Sequence, residues 1–250
     1  MRLHFSVKSR CAAIGLVCAI ALAIPAESRA VTFDFTGVFT AADPHALGGI
    51  LTAPTGPFPA STISGSFTFD PGTLDANAAN ATLGQYNGAL MNTSFSVTNI
   101  FGSPYQFGFN AAGGINAIQV NANATPGNQA YLVSAGVQNI VPSGPIVDGD
   151  NYFAREFYIT LTKPSTTVFA SDALPATPPD LAVFSLFSAA TNPNGQFRLV
   201  LQSTHGDHTL YGNLTSLTLS AVPIPASAYL FGSGIIGLIS LARRRMHATV

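Results

Sequence analysis

Apolar and polar residues alternate with a period of two through most of this chain, and that period admits little besides antiparallel β-structure. Val31, Phe33 and Phe35 alternate with Thr32, Asp34 and Thr36, and Ile63, Gly65, Phe67 and Phe69 alternate with Ser and Thr up to an Asp70-Pro71-Gly72 turn. The pattern recurs at 89–98, 104–110, 115–121, 130–138, 153–162, 182–188, 196–203 and 209–220, with Gly, Pro, Asn and Asp clusters between. Successive strand side chains point to opposite faces, so each run has one face to bury. Sixteen of the eighteen phenylalanines lie between 31 and 220, and burying each contributes roughly 1.5–3 kcal/mol. One core of that content is stable without disulfides. The expected fold is all-β: a single antiparallel β-sandwich, jelly-roll-like, over 31–220, with long loops between strands. The Pro-rich segment 174–180 reads as a loop covering the core, since it is too short to separate two domains.

Charge is scarce and unevenly placed. Charged residues are 8% of the chain, against about 25% in ordinary soluble domains. Seven of the ten cations sit near the ends, and residues 31–242 hold ten acidic and three basic side chains, a net of −7. A basic face able to track a phosphate backbone is absent from such a composition, so no nucleic-acid partner is expected.

At the amino end, Arg2, Lys8 and Arg10 precede an uncharged apolar run, 11–26, and then Ser28-Arg29-Ala30. This three-part layout is that of a secretory signal peptide over 1–30, helical in its apolar part, cleaved after Ala30 and handled by the export translocon. Both cysteines, Cys11 and Cys18, fall inside it. The exported body is therefore expected to carry no disulfide, thiol nucleophile or thiolate metal site.

At the carboxyl end, Val222-Pro223-Ile224-Pro225 precedes an uncharged stretch, 226–242, and then Arg243-Arg244-Arg245. Seventeen helical residues at ~1.5 Å each span about 25 Å, just short of a ~30 Å hydrocarbon core. The reading is a transmembrane helix within a 221–250 segment, its arginines anchoring the tip on the cytoplasmic side. Pro223 and Pro225 hold the preceding segment extended.

VPIPASAYLFGSGIIGLISLARRR closely resembles the PEP-CTERM sorting segment of exported bacterial proteins. Its order of Pro-x-Pro motif, apolar span with a Gly-Ser-Gly element and Arg cluster carries the likeness, with Ile224 where the family name has Glu. TFDFTG near 32, ISGSFTFDP at 63–71, SDALPATPPDLAVF at 171–184 and GNLTSLTLSAVP at 212–223 are similar, more diffusely, to the bodies of such proteins. The resemblance implies recognition by a membrane sorting enzyme, exosortase, removal of the tail, and residence at the cell surface or in an extracellular polysaccharide matrix.

Chemistry in the body is thin. His205-Gly206-Asp207-His208 offers two imidazoles and a carboxylate, but within what reads as a hairpin turn and without a distant further ligand. Asp148-Gly149-Asp150-Asn151 could begin a calcium loop but reads as a polar turn. Glu156 is the only Glu between 31 and 220, and no nucleophile elbow, phosphate loop or zinc helix occurs. The expectation is a non-enzymatic structural or interaction protein with no cofactor. The alternatives are a carbohydrate-binding or adhesive module using Tyr86, Tyr105, Tyr131, Tyr152, Tyr158 or Tyr211, and a secreted hydrolase. Tyrosines aligned on one sheet face distinguish the former; acids converging in one cleft distinguish the latter.

Overall fold

The structure, a computed structural model, describes residues 30–42, 61–98, 104–141, 146–147, 150–188, 191–193 and 195–220. Its strands are β1 (Val31–Ala42), β2 (Thr62–Phe69), β3 (Leu83–Asn87), β4 (Leu90–Thr98), β5 (Pro104–Phe109), β6 (Asn116–Asn121), β7 (Ala130–Val141), β8 (Ile146–Val147), β9 (Asp150–Asn151), β10 (Phe153–Thr162), β11 (Phe197–Ser203) and β12 (Gly206–Leu219). The described helices are three-residue 3-10 turns at Ala111–Gly113, Pro126–Asn128 and Leu181–Val183.

The strands do not form the expected sandwich. They run antiparallel in the order β10-β11-β12-β1-β2-β4-β5-β7, and β7 pairs back onto β10 from Glu156↔Gly136 to Thr162↔Ala130, closing an eight-stranded barrel. Period-two alternation is identical in a sandwich and a barrel. What decides between them is the closing pair, which joins strands separated only by β8, β9 and their turns in sequence yet at opposite ends of the strand order. The expected signal and transmembrane helices, from residue 1 to 29 and within 221–250, lie outside the described residues. Among the described residues no helix is long and apolar enough to cross a membrane. The run 182–188, expected as a strand, is a 3-10 turn followed by a single bridge, Ser188↔Asn192.

Two of the eight barrel positions hold broken strands. β3 and β4 follow one another across Gly88 and Ala89, and β5 and β6 across 110–115; β3 pairs with β6 and β4 with β5. Side chains close the gaps in the ladders. Asn116 accepts from Leu90 N–H and donates to Leu90 O, both at 2.9 Å. Asn139 accepts from Ala154 N–H at 2.9 Å and donates to Tyr152 O at 3.1 Å, where the β7–β10 ladder has ended. Each Asn amide thus presents one donor and one acceptor in place of a missing backbone rung. Register shifts in β1–β12, β10–β11 and β2–β4 bend the strands around the ring.

The interior is filled with aromatic rings. Phe33, Phe35, Phe39, Phe67, Phe69, Phe107, Phe157 and Phe197 are buried almost completely. Phe157 stacks on Phe35 at 5.3 Å and lies 4.6 Å from Phe95 and 6.4 Å from Phe197. Small residues make room for these rings: a Cβ on Gly212 would come within 2.2 Å of Phe197 Cζ, and one on Gly65 within 2.3 Å of Phe95 Cβ. Alternating large and absent side chains is how a narrow barrel accommodates its contents.

The 163–196 connection covers the end at which β10 stops and β11 starts. Phe169 and Phe184 are buried there, and Val168, Leu174, Leu181 and Val183 pack on the core beside them. Beneath this cover the Tyr131 hydroxyl is buried with no hydrogen-bond partner among the described residues, and burial pushes its pKa well above the ordinary 10.0. The sign of the consequence is fixed: an unfolded tyrosine ionises near pH 10 while Tyr131 stays protonated, so its contribution is complete below about pH 10 and is lost as pH rises beyond it. Stability is expected to fall above about pH 10, with Tyr131 ionising only on unfolding, as followed by absorbance near 295 nm alongside circular dichroism. Tyr131→Phe should flatten that decline and leave neutral-pH stability equal or higher, since it removes an unsatisfied buried hydroxyl. An unchanged alkaline slope in the variant contradicts the assignment.

Candidate functional site

Inward positions are predominantly apolar, with isolated buried polar side chains such as Thr93, Gln196 and His208, so a site is sought among outward side chains or at a barrel end. The outer surface divides into two contrasting faces. Across β12, β1, β2, β4 and β5 it is built of small hydroxyls, with rows such as Ser216, Thr36, Ser64, Ser96 and Gln106 in register. Many hydroxyls pair with one another: Thr36 Oγ1 lies 2.7 Å from Thr215 Oγ1 and 2.6 Å from Ser216 Oγ, and Thr32 Oγ1 lies 2.9 Å from Thr68 Oγ1. A shallow groove of ≈350 Å³ runs along Ser64, Ser66, Ser94, Ser96 and Gln106 beneath Ile140. It holds no acid, base or metal ligand.

The opposite face, on β10, β11 and β12, collects the aromatic and ionic residues. Tyr158, Arg198 and Tyr211 are register neighbours on the three strands. Each is outward because its neighbours Phe157 and Ile159, Phe197 and Leu199, and Leu210 point in. The Arg198 guanidinium lies 3.9 Å from the centroid of the Tyr158 ring, and Phe187 stacks on Tyr211 at 6.1 Å with 29° between planes. The Tyr158 hydroxyl donates to Glu156 Oε2 at 2.7 Å. Burial, the bond to Glu156 and the Glu156 charge raise the Tyr158 pKa, with Arg198 opposing them. Arg155 meets Asp207 Oδ2 at 2.7 Å and Glu156 Oε1 at 3.4 Å. Arg155 and Asp207 are roughly half exposed, so water screens this pairing, which orders the side chains more than it stabilises the fold.

The expected metal candidates are not brought together. The hairpin turn is Thr204-His205, with Gly206 at φ +114 opening β12 opposite Ser203. Asp207 and His208 are adjacent on a strand and therefore point to opposite faces. Asp207 reaches Arg155 on the outside, while His208 is buried, with Nε2 3.1 Å from Ser203 Oγ and its ring 5.3 Å from Tyr152. His205 stays in the turn, with Nδ1 3.3 Å from Thr204 Oγ1. Asp150 pairs with Val147 in the β8–β9 hairpin, and Asp148 lies outside the described residues. Among the described residues no three His, Cys, Asp or Glu side chains are grouped to hold a metal ion.

Other acids serve turns. Asp70 accepts from Gly72 N–H, Asp75 from Asn77 and Gln85 N–H, and Asp180 from Ala182 N–H. Of the six tyrosines considered above, Tyr86, Tyr131 and Tyr152 belong to the core and Tyr105 packs against it, leaving Tyr158 and Tyr211 outward. Arg155, Arg198 and Phe187 complete that face without having been singled out from the sequence. Alternation alone marks Arg198 as outward, but only the register puts it between two tyrosines. Ala30 is exposed immediately before β1, and Val222, Pro223, Ile224, Pro225, Arg243, Arg244 and Arg245 lie outside the described residues. Comparison with protein-family models, curated proteins and solved structures finds no match to this chain.

Proposed function

We infer that this chain is an exported protein of the bacterial cell surface or extracellular matrix, delivered through a membrane sorting enzyme of the exosortase type and acting by structure or binding without catalysis. The observation that carries this reading is what directly follows the barrel. β12 ends at Leu219, and the Val222-Pro223-Ile224-Pro225 motif, the apolar stretch 226–242 and Arg243-Arg244-Arg245 come after only Ser220 and Ala221. Prolines at 223 and 225 have no N–H to donate to a ladder, so the sequence of the motif is poorly suited to continuing a strand and suits recognition by an enzyme. A non-catalytic role is supported by the work of five carboxylates: Asp70, Asp75 and Asp180 accept from backbone N–H groups, and Glu156 and Asp207 pair with Arg155.

The test is expression of the full chain in a Gram-negative host encoding a sorting enzyme of this type, followed by fractionation and sizing. The expected result is a product shortened at both ends in the surface or medium fraction. Replacing Arg243, Arg244 and Arg245 together by Gln should accumulate the longer form in the membrane fraction, with most of the processing lost. Full-length protein that remains in the cytoplasm overturns the reading.

A further inference from the structure

The geometry points to the outward row Tyr158, Arg198 and Tyr211 as a binding site for an uncharged polysaccharide chain laid across β10, β11 and β12. The inference concerns the barrel surface and stands whether or not the chain is exported and sorted. Adjacent strands lie ~4.8 Å apart, so the two tyrosines sit about 10 Å from one another on a single line across the sheet. That spacing suits an extended run of sugar units better than one ring. A pyranose has an apolar C–H face and an equatorial edge of hydroxyls, and this row presents both complements. The faces of Tyr211 and its stacked neighbour Phe187 supply apolar area on an amphipathic side chain. Arg198 supplies planar N–H donors, and Glu156, held by the Tyr158 hydroxyl and by Arg155, supplies carboxylate oxygens with spare lone pairs. Among the described residues Arg198 has no carboxylate within salt-bridge distance, and its guanidinium packs on the Tyr158 side chain.

Charge selects the occupant. Arg155 and Arg198 balance Glu156 and Asp207, so the face is locally neutral on a stretch that carries −7 overall. A polyanion, whether nucleic acid or acidic polymer, meets a repelling field there, and a polycation meets a face with no excess negative charge. The row also lies on the convex outside of a barrel. That shape fits a chain resting across it rather than a small molecule, which needs an enclosing pocket.

The test is affinity electrophoresis of the full chain in gels containing soluble neutral polymers (a β-glucan, a galactomannan, dextran), with polygalacturonate as the acidic comparison. At least one neutral polymer is expected to retard the protein, equally at about 50 and 500 mM salt, because no ion pair forms. Tyr211→Ala and Arg198→Gln should each weaken retardation about tenfold, while Thr36→Ala on the hydroxyl face should not. Arg198→Gln carries the test if Tyr211→Ala fails to fold. Absence of retardation by all three neutral polymers, retardation undiminished in Arg198→Gln, or retention confined to polygalacturonate and lost in salt would each overturn the site. So would a change in sedimentation showing that these substitutions break a contact between two copies of the chain.

Discussion

Phe157→Ala is expected to destabilise the barrel by about 3–5 kcal/mol, the range for removing a fully buried aromatic side chain. The position is unusually sensitive because Phe157 touches rings from three other parts of the closed sheet: Phe35 on β1, Phe95 on β4 and Phe197 on β11. β10 is also the strand whose pairing with β7 closes the ring. Collapse around the missing ring is hindered by that closure, since a barrel cannot slide one sheet against another to fill a void as a sandwich can. The cost should therefore fall toward the upper end. Phe153→Ala on the same strand, where the side chain is 52% exposed, should cost about 1 kcal/mol or less. Equilibrium urea unfolding of both variants checks this. Equal midpoints for the two would mean that the aromatic column does not hold the barrel together.

Most of the strands are legible in the sequence because burial on alternate positions is a local property, but the contrast between Phe153 and Phe157 is not. Four residues apart, they share a face under strict alternation, and the register shift between Ala154 and Glu156 turns one out and the other in. Closure is not legible in the sequence either. It depends on which strand meets which, and the residues that enable it carry no separate signal: Gly65 and Gly212 look like strand-weakening glycines until Phe95 and Phe197 are seen occupying the space a Cβ would need. Asn116 and Asn139 look like turn formers until their amides are found standing in for ladder bonds. The 83–87 strand escapes detection because its pattern is short and interrupted by Gly84, and 182–188 mimics a strand because it is rich in apolar residues, although Phe184 is buried while Leu186, two positions on, is 59% exposed. The candidate site divides in the same way. The outward direction of Tyr158 and Tyr211 follows from alternation, whereas the separation of Asp207 from His208 does not, because 205–208 reads as a turn in the sequence and β12 begins at Gly206. The alignment of the tyrosines on either side of Arg198 needs the register of three strands.

The cover over the barrel end makes a second large effect expected, at a residue with no apolar contribution to speak of. Gln129 is 1% exposed, and its amide satisfies four backbone groups at once. Its Oε1 accepts from Val168 N–H at 2.7 Å and Phe169 N–H at 3.2 Å, and its Nε2 donates to Asn123 O and Phe169 O, both at 3.0 Å. Gln129→Leu keeps the volume and orphans all four groups, at about 1 kcal/mol or more each, so a loss of about 4 kcal/mol is expected. Limited proteolysis should then cut within 163–196 before the barrel unfolds, because this amide ties Val168 and Phe169 to the barrel. Gln129→Glu separates hydrogen bonding from packing. The introduced carboxylate still accepts from Val168 and Phe169 but faces two carbonyl oxygens with no proton to offer, so burial should raise its pKa above the ~4.3 of an unfolded glutamate. A raised folded pKa gives stability that is fully present below about pH 4.3 and lost as pH rises through the folded value. Measured as a difference from the parent protein, so that the other carboxylates cancel, the penalty of Gln129→Glu should grow from about pH 4 to about pH 8 while that of Gln129→Leu stays flat. A pH-independent penalty for the Glu variant would mean that neither the bond donated to Asn123 O nor that to Phe169 O contributes to the stability of this end of the barrel.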